Sequence, residues 1–252
     1  MDCTTPDSPT SASRYQRGRR PVGSGTVDIS LATRARPVSS SREQRLPVLP
    51  SLTPLLPGGE LQRGAVVAVG IGDGTGAGGG IGVGGPGGGG ARTLAFSLLA
   101  AASAAGSWCA VVGIADPGVL AIAELGVELD RLAFVPRPGG AWPEVTGILL
   151  DGMDVVLVCP PGRVRPGVAR RLAGRVRQRR AVLVVEAGPV TWPEGPDVRL
   201  TVESGGWDGV ERGHGHLRGR HVEVVSSGRR SAVRGTRHGL WLPAASGAVA
   251  AG

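Results

Sequence analysis

Five short runs of almost uninterrupted apolar residues, separated by segments with helical features, constrain the fold of this chain more than any other feature of its sequence. Strands that are apolar along their whole length are typical of a parallel sheet, because helices cover both faces of such a sheet. The sequence therefore predicts an α/β fold with a mostly parallel sheet and helices on both of its faces. The predicted strands are residues 65–69, 108–114, 132–135, 154–159 and 181–186, and the predicted helices are residues 93–105, 117–125, 142–150 and 166–180.

The pattern changes after Val198, where short strands alternate with turns rich in glycine and serine. This change predicts a short antiparallel extension at one edge of the sheet, and residues 46–245 then form one core. Three other segments lack the apolar content that offsets the entropy of ordering a chain. We expect a disordered basic tail over residues 1–45, a flexible glycine-rich loop over residues 70–90 and a disordered tail over residues 246–252.

Residues 93–115 contain no charged side chain, and a stretch of this length is long enough to span a bilayer. Gly106 and Ser107 interrupt it and Trp108 begins a β-type run, so we predict a buried helix followed by a buried strand, and no membrane contact. The three cysteines lie far apart and form no CxxC motif, which indicates a reducing compartment. We therefore expect a cytoplasmic protein.

All 28 residues of the lysine and arginine class are arginines, so this chain has neither a Schiff-base lysine nor a P-loop lysine. A P-loop has the pattern GxxxxGK[ST] between a strand and a helix. Here Pro86 and Ala91 replace the two glycines and Arg92 replaces the lysine, whereas Thr93 keeps the hydroxyl. The planar guanidinium of arginine does not substitute in kind for a compact ammonium. The candidate residues of this degenerate nucleotide site are Gly89, Gly90, Arg92 and Thr93.

Six segments follow one another in a characteristic order: residues 55–64 (LLPGGELQRG), 91–93 (ART), 115–117 (ADP), 124–132 (ELGVELDRL), 152–158 (GMDVVLV) and 240–243 (LWLP). In this order they resemble the core of the RecA recombinases. Together with the degenerate P-loop, they make the chain most similar to the RecA-like mutasome accessory proteins of actinobacteria, the ImuA type. The resemblance covers roughly residues 46–243 and implies a RecA-like fold.

The resemblance also implies where an ATPase of this superfamily would place its working groups, and three of them are absent. The phosphate-binding lysine falls at Arg92. The metal-ligating aspartate falls at Cys159 or Pro160, neither of which can hold a hard cation through a side-chain oxygen. The glutamate that polarises the attacking water falls at residues 113–115, which contain no carboxylate. Since positioning and charge neutralisation supply nearly all of phosphoryl-transfer catalysis, we expect no enzymatic activity and no cofactor, ATP included.

The function that the resemblance implies is a non-catalytic adaptor in the DNA-damage (SOS) response and translesion synthesis. Such an adaptor binds a polymerase-like mutasome protein and, in addition, single-stranded DNA. Two alternatives stay open. A DNA-dependent P-loop ATPase of the RecA type would turn over ATP, and a protein-binding inhibitor of cell division with a RecA-like fold would co-purify with a tubulin-like partner.

A strongly basic helix is the second functional feature of the sequence. Residues 163–180 contain eight arginines and no acidic residue, while Val164, Val168, Leu172 and Val176 recur every fourth residue as a predicted buried stripe. The basic side favours binding of a DNA backbone or an acidic partner, because no acid within the segment neutralises it; the alternative is a solvated face. The candidate binding residues are Arg170, Arg171, Arg175, Arg177, Arg179, Arg180, Arg229 and Arg230.

The four histidines all lie in the last 40 residues of the chain. His214 and His216 have the spacing that places two imidazoles on one face of a strand, but no carboxylate or cysteine at ligand spacing completes a metal site. We therefore expect a surface hairpin there and no metal ion.

Overall fold

A mixed β-sheet forms the centre of the protein, and a short two-stranded ladder precedes it in the chain. The computed structural model describes residues 44–72, 90–187, 192–211, 214–229 and 235–252. Within these residues the ladder consists of β1 (Arg45–Leu46) and β2 (Leu61–Gln62), and the strands of the central sheet are β3 (Val66–Ile71), β4 (Cys109–Val112), β5 (Leu132–Val135), β6 (Val155–Val158), β7 (Val182–Ala187), β8 (Val198–Glu211), β9 (His214–Ser227), β10 (Thr236–Trp241) and β11 (Ala250–Ala251).

The described strands of the central sheet follow the order β11-β10-β9-β8-β3-β7-β6-β4-β5. From β8 to β5 every pair of neighbours is parallel. From β8 to β11 the neighbours are antiparallel. The predicted α/β fold, with a mostly parallel sheet and an antiparallel extension at its C-terminal edge, is confirmed.

Helices cover both faces of the parallel strands, which explains why these strands are apolar throughout. In β6, Val155 and Leu157 belong to one core cluster, whereas Val156 and Val158 belong to the other. The first cluster includes the buried residues of the first two helices, and the second includes those of the last two. Within the described residues these helices are α1 (Ala91–Ala104), α2 (Val119–Glu124), α3 (Trp142–Gly152) and α4 (Pro166–Arg179).

The buried side of α4 differs in one respect from the predicted stripe. Leu172 and Val176 are buried as predicted, but Val168 is only half buried. Ala169 and Ala173 are buried in its place. The side of α4 that faces the sheet therefore combines large residues with alanines. The small alanine side chains let the helix backbone lie closer to the sheet than larger side chains would.

The antiparallel extension is longer than its sequence pattern predicts. The sequence pattern predicts only short strands after Val198, whereas β8 and β9 are each 14 residues long. Their pairing continues beyond the core, with register irregularities between Val202 and Ser204 and between Asp208 and Val210. Backbone hydrogen bonds hold these outer residues in the strands, and hydrophobic periodicity does not record such bonds.

The structure also differs from the expected limits of order. Arg45, expected in the disordered tail, pairs with Gln62 of β2. Ala250–Ala251, expected in the disordered C-terminal tail, pairs with β10. In both places backbone pairing orders residues whose side chains carry no apolar pattern. The rest of the predicted basic tail, up to residue 43, and residues 73–89 of the predicted loop lie outside the described residues.

The uncharged stretch over residues 93–115 forms most of α1 and then β4, as predicted. No helix in the described ranges has both the length and the apolar character that crossing a membrane requires.

Leu172→Ala tests the assignment of the buried side of α4. Leu172 is 1% exposed, so we expect its truncation to lower the free energy of unfolding by about 2–5 kcal/mol. Gln178→Ala, on the exposed side of the same helix, is the control and should change it by no more than about 0.5 kcal/mol. Urea denaturation of the three proteins measures both values, and equal losses would contradict the assignment.

Candidate functional site

The carboxyl ends of β6 and β7 meet the N-terminus of α1 at one edge of the sheet. Ligands of parallel α/β sheets bind at this edge. Gly90 precedes α1 with a φ of 86°, a left-handed conformation that glycine adopts without steric cost. Arg92 is the second residue of α1, Cys159 directly follows β6, and Glu186 is the penultimate residue of β7.

Arg92 forms an ion pair with Glu186. Its Nε donates hydrogen bonds to both carboxylate oxygens of Glu186, at 3.1 Å each. The Glu186 side chain is 4% exposed and the Arg92 side chain 28%. Because an unpaired buried carboxylate is strongly unfavourable, Arg92 is the group that allows a carboxylate at this position.

Burial and the ion pair together shift the pKa values of Arg92 and of the neighbouring Cys159 thiol. Burial alone would lower the pKa of Arg92, but the hydrogen bonds and charge of Glu186 outweigh it and the pKa lies above its ordinary value. Burial, and then the negative charge of Glu186, raise the pKa of the Cys159 thiol, while Arg92 partly offsets this rise. Cys159 is therefore a protonated thiol at neutral pH, which is a weak nucleophile and a poor metal ligand.

Backbone crowding excludes a side chain immediately after β4, where the resemblance places a catalytic glutamate. Gly113 has a φ of 85°. A Cβ at this position would lie 2.3 Å from the carbonyl oxygen of Cys159, far closer than any real contact. The nearest carboxylate that follows along the chain, Asp116, is exposed.

A groove of about 230 Å³ lies beside the ion pair. Arg92, Thr93 and Phe96 of α1 form one wall, and Ile122 of α2 and Pro243 contribute to the others. The volume is below the roughly 300–1,000 Å³ of typical small-molecule sites. Of the predicted nucleotide-site residues, the structure thus brings together Gly90, Arg92 and Thr93, whereas Gly89 lies outside the described residues.

Glu186 is the site residue that sequence reasoning misses. It lies 94 positions from Arg92, and no local spacing connects the two. One signal was nevertheless present in the sequence, because Glu186 is the single charged residue in an apolar strand. A carboxylate in a strand buried on both faces requires a cationic or polar partner.

Asp151 of α3 neutralises part of the basic helix. Arg175 forms a bidentate ion pair with Asp151, in which its Nε lies 2.7 Å from Oδ1 and a terminal nitrogen donates to Oδ2. The Nε of Arg179 lies 3.1 Å from the same Oδ1.

Two further arginines of α4 have acidic partners. Arg171 lies 3.5 Å from Glu144 of α3, and Arg170 lies 3.3 Å from Glu194. The absence of acids within residues 163–180 therefore does not leave these arginines without acidic partners. Their acidic partners come from elements that pack beside α4.

The other candidate arginines that the structure describes do not form one continuous, unpaired basic patch with these four arginines. Arg177 and Arg180 are exposed, and no carboxylate of the described chain lies within 4.0 Å of either. The side chain of Arg229 lies over Gly195, next to Glu194. Arg230 lies outside the described residues.

Among the side chains that the structure describes, no group of three or more His, Cys, Asp or Glu residues is arranged to hold a metal ion. His216 is exposed on β9. His221 packs edge-on against Trp241, with ring centroids 5.4 Å apart.

Comparisons with known proteins place this geometry in a wider context. The model of a family described as the MT3502 N-terminal domain matches residues 73–194. Rv3395c of Mycobacterium tuberculosis, described as an uncharacterized protein, is 37% identical over 147 residues, which cover 55% of this chain and 71% of that protein. The crystal structure of the KaiC-like protein PH0186 from Pyrococcus horikoshii superposes with a TM-score of 0.56 over 82% of this chain and 98% of its own. At 11% identity, that likeness shows a shared RecA-like fold alone.

Asp151→Asn tests the ion pairs of α4 through their pH dependence. Hydrogen bonds from Arg175, and the charges of Arg175 and Arg179, hold the pKa of Asp151 below its usual 3.8 despite partial burial. A carboxyl whose pKa is lowered by folding stabilises the protein above its unfolded pKa, and this contribution is lost as the pH falls through the folded value. We therefore expect the variant to be less stable than the wild type at pH 7, and this difference to be smaller at about pH 2.5.

Urea denaturation at both pH values measures this difference. Asp130→Asn is the control, since Asp130 is exposed and has no ion pair within the described chain. If the stability of the two variants changed with pH in the same way, this would contradict the inference that Asp151 stabilises the fold through its ion pairs with α4.

Proposed function

The chain belongs to the family of the mycobacterial protein Rv3395c and has a RecA-like fold, and from this premise we propose that it is a RecA-like adaptor without ATPase activity that serves translesion synthesis in the DNA-damage response. The observation that carries the proposal is the ion pair between Arg92 and Glu186. It lies where a P-loop-type nucleotide-binding scaffold would hold the phosphates of a nucleotide.

Charge is the first argument against phosphate binding at this site. A phosphate group would have to displace Glu186 from the Arg92 guanidinium, and the displaced carboxylate would then be buried without a cation. The same carboxylate would repel the phosphate at close range. Both effects weaken the binding of a polyphosphate relative to a site whose cation has no internal partner.

The donor set is the second argument. A magnesium ion needs oxygen ligands in octahedral geometry, and the residue that follows β6 supplies a protonated sulfur instead. The position after β4 has no room for a side chain that could orient water. The residues of this site therefore do not fit a nucleotide with its metal ion, and the proposed function assigns no reaction to it.

The adaptor role follows from the fold and from the order of the RecA-like segments. A RecA-like protein that does not hydrolyse ATP still presents a rigid sheet and its helices to other proteins. The resemblance to mutasome accessory proteins favours a polymerase-like partner, with single-stranded DNA as a second ligand. We expect this complex to form in the cytoplasm.

A nucleotide-dependent role is the second candidate, because Thr93 keeps its hydroxyl at the first turn of α1 and borders the groove. ATP turnover separates the two candidates. We expect the purified protein to hydrolyse no ATP above background, with or without single-stranded DNA, as measured by phosphate release. DNA-stimulated hydrolysis that Thr93→Ala abolishes would establish the second candidate and contradict ours.

Glu186→Gln tests whether the ion pair is what excludes phosphate. The variant keeps the shape of the side chain but removes its charge, so we expect it to bind a fluorescent ATP analogue more tightly than the wild type. Asp130→Asn removes an exposed carboxylate elsewhere and should leave the affinity unchanged. Tight binding by the wild type, or no gain in Glu186→Gln while its thermal stability is retained, would contradict the proposed occlusion.

Recovery of partners from cells tests the adaptor role. We expect the tagged chain, purified from cells exposed to a DNA-damaging agent, to bring down a polymerase-like protein, and Thr93→Ala to bring it down equally well. A tubulin-like protein as the recovered partner would favour an inhibitor of cell division instead.

A further inference from the structure

The β8–β9 hairpin carries its cationic and its acidic side chains on separate faces. Successive residues of a strand point to opposite faces, so the register assigns each side chain to one face. Arg220 pairs with Trp207, and Val222, two positions further along β9, is a core residue on the α1 side. Trp207 and Arg220 therefore lie on that side too. We call the surface formed by Trp207, Arg218 and Arg220 the Trp207 face.

The Trp207 face exposes an aromatic ring beside cationic groups. Trp207 is 47% exposed, and the Arg220 guanidinium lies 5.8 Å from the centroid of its ring. Arg218, two positions before Arg220 in β9, is exposed as well. It lies next to Gly219, whose partner in β8 is Asp208, the neighbour of Trp207.

The acidic residues of the hairpin are on the opposite face. Glu203 and Glu223 both pair with Arg237 of β10, at 3.1 Å and 3.3 Å. Asp208 is next to Trp207 in the strand and so points away from it. Among the hairpin side chains that are described, none on the Trp207 face is a carboxylate. This separation of charge favours an anionic ligand on the Trp207 face.

We propose that the Trp207 face binds single-stranded nucleic acid, with a base stacked on the indole ring and a backbone phosphate at Arg218. Binding sites for single strands combine an aromatic platform with a basic track, and both are present here. A duplex keeps its bases stacked and so offers no free base to the ring. The inference deepens the proposed function, on which it rests for single-stranded DNA as a ligand, by assigning that ligand to a surface of this chain. Its test uses the purified chain and needs no protein partner.

Fluorescence anisotropy with a labelled oligonucleotide of mixed sequence tests the inference on the full chain. We expect the single strand to bind more tightly than the duplex of the same sequence. Trp207→Ala should weaken the binding by roughly 5- to 150-fold, the range for loss of one stacked base. Arg218→Gln should reduce the dependence of log K on log salt concentration by about 0.7, the value for one lost phosphate contact.

Trp108→Ala is a matched control, since Trp108 is 48% exposed and lies 5.7 Å from the Arg131 guanidinium, away from the hairpin. It should leave the affinity unchanged. Trp207→Phe keeps an aromatic platform and should retain most of the affinity, which separates loss of stacking from loss of folding.

Three results would overturn the inference. The first is that Trp207→Ala, Trp207→Phe and the wild type all bind the single strand with the same affinity. The second is loss of binding in the triple variant Arg171→Gln, Arg175→Gln and Arg179→Gln alone, which would place the nucleic acid on α4. The third is equal binding of single strand, duplex and an acidic peptide, which would mean a surface that attracts any polyanion. None of these results bears on ATP hydrolysis or on recovery of a polymerase-like partner.

Discussion

Burial of the parallel strands on both faces is the constraint on which the rest of this structure depends. Each strand of the parallel part must give alternate side chains to two separate cores, as β6 does with Val155 and Val156. Fully burying a valine or leucine side chain contributes about 1.5–3 kcal/mol, so the central strands have little tolerance for polar residues. Since the strands are parallel, their carboxyl ends gather at one edge. At this edge Glu186, the one fully buried charged side chain among the described residues, pairs with Arg92.

The ion pair between Arg92 and Glu186 is the consequence of that arrangement with the greatest chemical importance. A guanidinium at the first turn of α1 faces a strand end that carries a carboxylate, and each group satisfies the other. The pair holds negative charge where a phosphate-binding site needs a cation that is free to bind. Burial raises the pKa of the neighbouring Cys159 thiol, and the charge of Glu186 adds to this rise while Arg92 partly offsets it. The site thus lies where a phosphate-binding loop would lie, but its cation is already paired with a carboxylate of the same chain.

The same principle decides which charged surfaces remain available for binding. The arginines of α4 form the densest basic segment of the sequence, yet Asp151, Glu144 and Glu194 pair with four of them. The β8–β9 hairpin has fewer cations, but its acidic residues lie on the other face with Arg237. A surface whose cationic and acidic side chains lie on separate faces is a better binding surface for an anion than a helix whose arginines pair with carboxylates beside them. This difference arises from neighbours in space and not from composition.

The amino-acid sequence by itself determined the fold class, the positions of the principal strands and helices, and the replacement of the P-loop lysine by Arg92. These features depend on local periodicity, capping residues and single-residue identities, which are written along the chain. Only the tertiary structure decided that Arg92 meets Glu186, 94 positions away, and that Asp151 lies against Arg175 on a different helix. It also decided that β8 and β9 continue past the core, because backbone hydrogen bonds between strands do not require an apolar pattern. Contacts of this kind depend on the order of the strands and on how the helices pack, and many sequences with the same local pattern would place those residues apart.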